Sequence, residues 1–247
     1  MTTIDDGFAA KKATLDELRP LSRTSYEALA AWYDVELTYT SNAIEGNTLT
    51  RSETAIVLEK GITVNGKPLR DHMEAVGHKD ALDYVRGLAR RDEPIREIDI
   101  RHIHALLLGR SDPENAGRYS TVQRMISGSP LVLPGPAEIS PLMADFSSWL
   151  FNASPNAETA FTAHARLVAI HPFSDGNGRT ARLLMNLILF KAGYPPVIIG
   201  PEERADYIAS LEELQLRRGS DMYLRFMKRR LDASLDNYIG VLRQDSN

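Results

Sequence analysis

His171-Pro-Phe-Ser-Asp-Gly-Asn-Gly-Arg-Thr-Ala-Arg182 gathers a titratable base, a carboxylate, two glycines around an asparagine and two arginines. The apolar run Leu183-Leu184-Met185 and Leu187-Ile188-Leu189-Phe190 follows at once. It predicts a buried helix, stopped by Gly193 and Pro195-Pro196. The polar stretch therefore lies at that helix's N-terminus, where backbone N–H groups lack partners and the dipole favours an anion. Arg179 and Arg182 are three residues apart, share a face, and stand against the dipole at a cost of roughly 0.3–1 kcal/mol each. A phosphate chain gripped through forked hydrogen bonds accounts for both. Gly176 and Gly178 permit a close backbone approach and a nest of N–H groups. Asp175 beside phosphates calls for a cation between them, and Mg²⁺ suits one carboxylate, phosphate oxygens and water. His171 is the one group here that exchanges a proton near pH 7. Each feature also has a plain explanation. A glycine-rich turn is commonly only a turn, a lone histidine is commonly structural, and Asp175 would serve as a helix cap. The conjunction is what points to phosphate chemistry.

A second constellation lies far upstream, in Thr40-Ser-Asn-Ala-Ile-Glu-Gly-Asn47. Leu29, Trp32, Tyr33 and Glu36-Leu37 recur at roughly helical spacing, and Gly46-Asn47 are stop signals. Glu45 then sits on the last turn of a helix, where its charge opposes the dipole and calls for a cation. By itself this is weak, since a glutamate at a helix end is commonly solvated.

The order His-x-Phe-x-Asp-Gly-Asn-Gly-Arg-x-x-Arg over 171–182 resembles the signature of the Fic domain family (the Fic/Doc superfamily) at every defined position. The likeness implies transfer of part of a nucleotide, most often AMP from Mg-ATP, to a Ser, Thr or Tyr hydroxyl of a target protein or of the chain itself. It implies His171 as general base and Asp175 as Mg²⁺ ligand. Gly176, Asn177 and Gly178 become an anion hole for the α- and β-phosphates, Arg179 a phosphate ligand and Arg182 the grip on the γ-phosphate. Phe173 is similar to the family's core anchor. Ser41-x-x-x-Glu45-Gly46 resembles the inhibitory helix that some members carry ahead of the core. The implied partner of Glu45 is Arg182, which leaves ATP badly aimed for in-line attack. Met125 to Pro136, rich in Pro and Gly, is no helix and reads as a short hairpin or exposed loop. It resembles the family's flap, which docks the target by strand pairing. Gly117-Arg-Tyr-Ser-Thr-Val-Gln123 resembles the approach to that flap, and Ile126, Ser127, Gly128 and Leu131 are the docking candidates. In the helix after Pro201, Tyr207 is a candidate to pack on the adenine and Gln215 to hydrogen-bond it. The likeness spans about 41–227, with only the two motifs sharp.

The 247 residues suit one large or two small units, at about 150 residues per domain. The expected fold is all-α, a Fic-type helical bundle with a short β-hairpin flap. Residues 1–60 form a helical extension carrying the inhibitory helix, and 61–247 the core and C-terminal helices of what reads as one unit. Thr50-Arg-Ser-Glu53 is a capping box. Helices are expected over about Arg70–Ala89, Glu97–Leu108, from Ser140-Pro141, through Phe161, Ala165 and Val168 into His171, from Pro201 to about Leu216, and over about Asp221–Asp236. Asn65-Gly66 signals a turn and suggests a small hairpin over Gly61–Lys67. A net charge of −4 without a block of like charges argues against a nucleic-acid partner. No run of 18 apolar residues suggests a membrane span, and Met1-Thr-Thr-Ile-Asp-Asp does not read as a signal peptide. Zero cysteines exclude disulfides and fit a reducing compartment. A cytoplasmic chain is expected, with ATP, an unidentified target protein and a second copy of itself as candidate partners.

Three alternatives stay open at the level of sequence. One is a metal-dependent hydrolase using His164, His171 and Asp175, although His-Glu-x-x-His is lacking. Another is a nucleotide-binding regulator without turnover. The third keeps the same site but removes AMP or transfers another phosphate-bearing group. No Gly-x-x-x-x-Gly-Lys-Ser/Thr loop is present, which excludes an ordinary P-loop ATPase.

Overall fold

Thr50 opens one of the best-marked helices in the chain. Its hydroxyl accepts from the Glu53 N–H at 3.3 Å, and the Glu53 carboxylate accepts from the Thr50 N–H at 2.7 Å. That reciprocal cap satisfies two of the donors that a helix start leaves unpaired. Gly61, left-handed at φ 64°, ends the same helix. The computed structural model describes residues 5–125 and 130–245. In chain order the helices are α1 Ala9–Glu17, α2 Arg23–Ile44, α3 Arg51–Lys60, α4 Leu69–Ala89, α5 Glu97–Leu108, α6 Pro136–Asn152, α7 Ala157–Ile170, α8 Asn177–Lys191, α9 Arg204–Gln215 and α10 Asp221–Asp245. Among the described residues there is no sheet, only isolated antiparallel bridges at Tyr119–Phe173 and Met125–Val132. None of the described helices is long and apolar enough to cross a membrane.

The bundle is built around α8, whose side chains from Arg179 to Leu189 are all buried. α7, α4, α5 and α2 pack directly against it. One continuous apolar core runs from Phe8, through α2 and α4 to α8, and on to Leu242 of α10. α1 joins it through the fully buried Leu15. Lys11 anchors α1 to α10 by ion pairs to Asp232 and Asp236 at 2.6 and 2.8 Å.

Three sequence expectations shift. α6 begins at Pro136 rather than at Ser140-Pro141, because Gly135 is its cap, Pro136 is pre-set for the first turn, and Glu138 accepts from the Gly135 N–H at 2.7 Å. Pro141 falls inside the helix on an exposed face, where the carbonyl it leaves unpaired is open to solvent. α10 continues past Asp236 to Asp245, because Ile239 and Leu242 extend its buried stripe. The hairpin over 61–67 does not form. The Asn65-Gly66 turn is present, with Gly66 at φ 77°, but the Val64 N–H donates to His72 Nε2 at 2.8 Å rather than to a facing strand.

Three buried histidines give the core a pH dependence. Burial pushes His78 and His164 down to about 3 and His104 down to about 4. The unfolded imidazoles take a proton near 6.5, so below that value only the unfolded state gains charge. Stability is full above about pH 6.5 and falls as pH drops toward 4, by roughly 1.4 kcal/mol per pH unit for each imidazole. Melting followed by circular dichroism should show the midpoint dropping clearly between pH 7.5 and 5, where carboxylates scarcely titrate. A flat midpoint over that range contradicts the histidine argument.

Candidate active site

The chain reverses between α7 and α8, and the polar motif occupies that reversal. α7 ends at Ile170, and His171 follows in the left-handed region (φ 50°, ψ 53°), its N–H donating to the Leu167 carbonyl at 3.0 Å. A non-glycine residue there is uncommon, and such outliers concentrate at functional sites. Two residues on, Phe173 is fully buried and stacks on His104 at 3.7 Å. Asn177 braces the loop: it accepts from the Phe173 N–H and donates to the Phe173 carbonyl, both at 2.9 Å. The Asn177 side chain is therefore committed to the loop, which leaves its backbone for any anion.

His104 of α5 locks the same loop from below. Its Nδ1 accepts from the Gly117 N–H at 2.8 Å, so Nε2 carries the proton and donates to the Asp175 carbonyl at 3.0 Å. Gly176 caps α8 with φ 72°, close above His104 and Leu107. The approach segment is tied in as well, with the Ser120 N–H donating to the Pro172 carbonyl at 2.8 Å.

Both arginines of the motif point inward and meet carboxylates. Arg179, 1% exposed, lies 3.4 Å from Glu74 of α4 and 3.4 Å from Asp175, and donates to Asn42 at 3.3 Å. Arg182 donates through Nε to the Ser41 hydroxyl at 3.0 Å and through Nη2 to the Ser41 carbonyl at 2.9 Å. The same Nη2 donates to Glu45 Oε1 at 2.8 Å. The end of α2 therefore lies across the N-terminus of α8. Asn47 fixes the exit of that helix by donating to Glu74 Oε2 at 3.0 Å, and Arg204 donates to the Ile44 carbonyl at 2.8 Å.

Gly178 makes room for this arrangement. A Cβ at position 178 would stand 2.5 Å from Glu45 Oε1 and 3.1 Å from Arg182. The space above Gly178 thus holds a carboxylate oxygen and is of a size to take a phosphate oxygen. Gly178→Ala should weaken ATP binding at least about 10-fold by filling that space, measured by titration calorimetry. Unchanged affinity would show that the phosphates lie elsewhere.

Beneath Arg182 runs a buried relay. Tyr223 donates to the Phe161 carbonyl at 2.8 Å, so its oxygen accepts from His164 Nδ1 at 2.8 Å. His164 Nε2 then accepts from Tyr207 at 2.7 Å, and the Tyr207 oxygen lies against the Arg182 guanidinium. Tyr207, 1% exposed, supports the arginine from below and is not an open wall for a base. With both nitrogens of His164 engaged, it has no lone pair for a metal. Among the described residues no group of three or more His, Cys, Asp or Glu could hold a metal ion. The metal-dependent hydrolase reading therefore falls.

Gln215, by contrast, lines an open cavity of about 630 Å³ between α7, the end of α9 and the flap residues Leu131 and Val132. Met125 pairs with Val132 across the base of the flap, and both are exposed. Ile126, Ser127 and Gly128 lie outside the described residues.

Burial lowers the pKa of His171, with the Val168 backbone and the Glu45 charge working the other way. A base held below its usual value is neutral at pH 7 and ready to take a proton. Asp175 Oδ1 accepts from the Gly176 N–H at 2.6 Å, whereas Oδ2 faces outward, toward Arg70 at 3.0 Å. One outward carboxylate oxygen fits Mg²⁺ that arrives with phosphates and keeps its waters, rather than a cation caged by protein alone.

The sequence reading missed Arg70, Glu74, His78 and His104. Arg70 and Glu74 have the spacing of an ordinary i,i+4 pair, which marks no site in a sequence. His78, whose Nδ1 lies 3.0 Å from the Thr38 hydroxyl, joins α4 to α2 behind the arginines.

A helical bundle that sets a neutral imidazole, one outward carboxylate and two buried arginines around a glycine-opened helix end has the parts that phosphate chemistry needs. The model of the Fic/DOC family matches residues 94–189. The chain is 42% identical over 207 residues to the protein adenylyltransferase Fic of Nematostella vectensis, covering 81% of this chain and 48% of that protein. The structure of a fragment of Fic-1 from C. elegans superposes with a TM-score of 0.85 at 34% identity, over 98% of this chain and 73% of that one. A Fic domain protein from Bacteroides thetaiotaomicron superposes with a TM-score of 0.88 at 26% identity, over 96% of this chain and 98% of that one. The chain belongs to the Fic family. It spans about half the length of the curated relatives it matches.

Proposed function

We propose that the chain transfers AMP from Mg-ATP to a Ser, Thr or Tyr hydroxyl of a target protein or of itself, and that Glu45 holds this activity down. The observation that carries the reading is the 2.8 Å pair between Arg182 and Glu45, in the space Gly178 leaves at the N-terminus of α8. Relatives named protein adenylyltransferase support the choice of AMP transfer.

In this mechanism the target segment pairs with the flap, where Met125 and Val132 already face one another. His171 takes the hydroxyl proton as the oxygen attacks the α-phosphorus. The bond between that phosphorus and the β-phosphate bridging oxygen breaks, and pyrophosphate leaves. Backbone N–H groups of 177 and 178, with Arg179 and Arg182, stabilise the charge that develops, the Gly176 N–H being held by Asp175. When bound through Asp175, Mg²⁺ would supply further neutralisation of the phosphates. The Gln215 cavity receives the adenine.

Label position tests the reading. ATP carrying label on the α-phosphate should mark an acceptor protein, and ATP labelled on the γ-phosphate should not. Transfer of the γ-label would replace the proposal with kinase chemistry. ATP binding without transfer, even with Glu45 removed, would leave a nucleotide-binding regulator.

A further inference from the structure

The first turn of α4 carries a cation that the reaction above does not use. Arg70 stands at the second position of that helix, against its dipole. Two carboxylates hold it: Nε donates to Glu74 Oε1 at 3.0 Å, and Nη2 to Asp175 Oδ2 at 3.0 Å. The Arg70 side chain is 62% exposed, whereas that of Glu74 is 9% exposed. Since Asp175 Oδ1 is already engaged with Gly176, the outward oxygen of the motif's single carboxylate is covered by an arginine 105 residues away in sequence.

We propose that Arg70 is a specificity-determining residue of the nucleotide site: it competes with the divalent cation for Asp175 and sets how strongly nucleotide binding depends on that cation. The proposal rests on the site holding Mg-ATP. A guanidinium and a divalent cation repel one another and do not share one carboxylate oxygen. An exposed ion pair contributes little, so the cation wins the contest when it arrives with ATP. Arg70 has somewhere to go. Its Nε stays on Glu74, which Asn47 and Arg179 hold in place, while the Nη2 arm swings clear. Without metal the same arm neutralises Asp175, which would otherwise repel the triphosphate. Arg70 therefore helps metal-free nucleotide to bind and hinders the metal complex, narrowing the gap between them.

The test uses protein carrying Glu45→Gly and His171→Ala, so that Arg182 is released from Glu45 and no turnover occurs. ATP affinity is measured by titration calorimetry in excess Mg²⁺ and in EDTA, with Arg70 intact, Arg70→Gln and Arg70→Lys. The ratio of Kd in EDTA to Kd in Mg²⁺ should rise about 3- to 10-fold in Arg70→Gln, since the two affinities move in opposite directions. It should stay within about 2-fold in Arg70→Lys, which keeps the charge. Melting temperatures identify any variant that fails to fold, in which case the lysine protein and a Glu74→Gln protein, with the arm's anchor weakened, carry the comparison. An unchanged ratio, or a parallel loss of both affinities, overturns the role given to Arg70. If the Arg70 protein binds no ATP in Mg²⁺, the nucleotide reading itself fails, and this proposal with it.

Discussion

Replacing Glu45 by glycine should raise α-label transfer from ATP to acceptor protein by about 100-fold, the rate effect expected of correcting a misaligned reacting group. Arg182 keeps its bonds to Ser41 in that variant but loses the carboxylate that now takes its outer nitrogen. A phosphate oxygen then takes the space above Gly178 and aligns the leaving group. Affinity for ATP should rise as well, because its third phosphate no longer competes with a carboxylate for that space. Glu45→Gln should give a smaller rise, since it keeps the shape and removes the charge. Unchanged transfer with ATP bound would sink the inhibitory role of Glu45.

His171→Ala, made alongside Glu45→Gly, should lower transfer by about 10²- to 10⁴-fold, the usual contribution of a positioned general base. ATP binding should survive, because the imidazole lies at the end of α7 and the phosphate-facing groups belong to α8. Burial holds His171 below its ordinary pKa, so the neutral base persists below pH 6.5. The acid limb of the rate profile should accordingly lie below that value in the Glu45→Gly protein. Retained transfer in the alanine variant removes His171 from its role.

The fold was legible where local chemistry is unambiguous. The capping box at Thr50 marked the start of α3, and the spacing over Glu97–Leu108 placed α5 directly. Boundaries were lost where two signals compete. Ser140-Pro141 imitates a helix start that Gly135-Pro136 supplies, and the polar Asp236-Asn237 imitates an end that Ile239 and Leu242 override. The site was legible as a motif and largely illegible as a surrounding shell. His104, Glu74 and Arg70 act on Asp175 and Arg179 across long separations, and a single sequence carries no signal of such contacts. Tyr207 shows the reverse error, because an aromatic in the right helix turned out to brace an arginine from inside the core.

The space above Gly178 imposes reciprocity on the protein. In the proposed mechanism one carboxylate and one phosphate exclude each other there, so displacing Glu45 and seating the third phosphate of ATP become two sides of a single thermodynamic cycle. Whatever factor a bound partner gains by lifting the end of α2, ATP gains the same factor in affinity, and ATP returns it to the partner. ADP has no third phosphate to contest the space, so it lies outside that cycle and binds the restrained and released states alike. On this account the chain answers to the ratio of triphosphate to diphosphate as well as to its partners, through one contact 2.8 Å long.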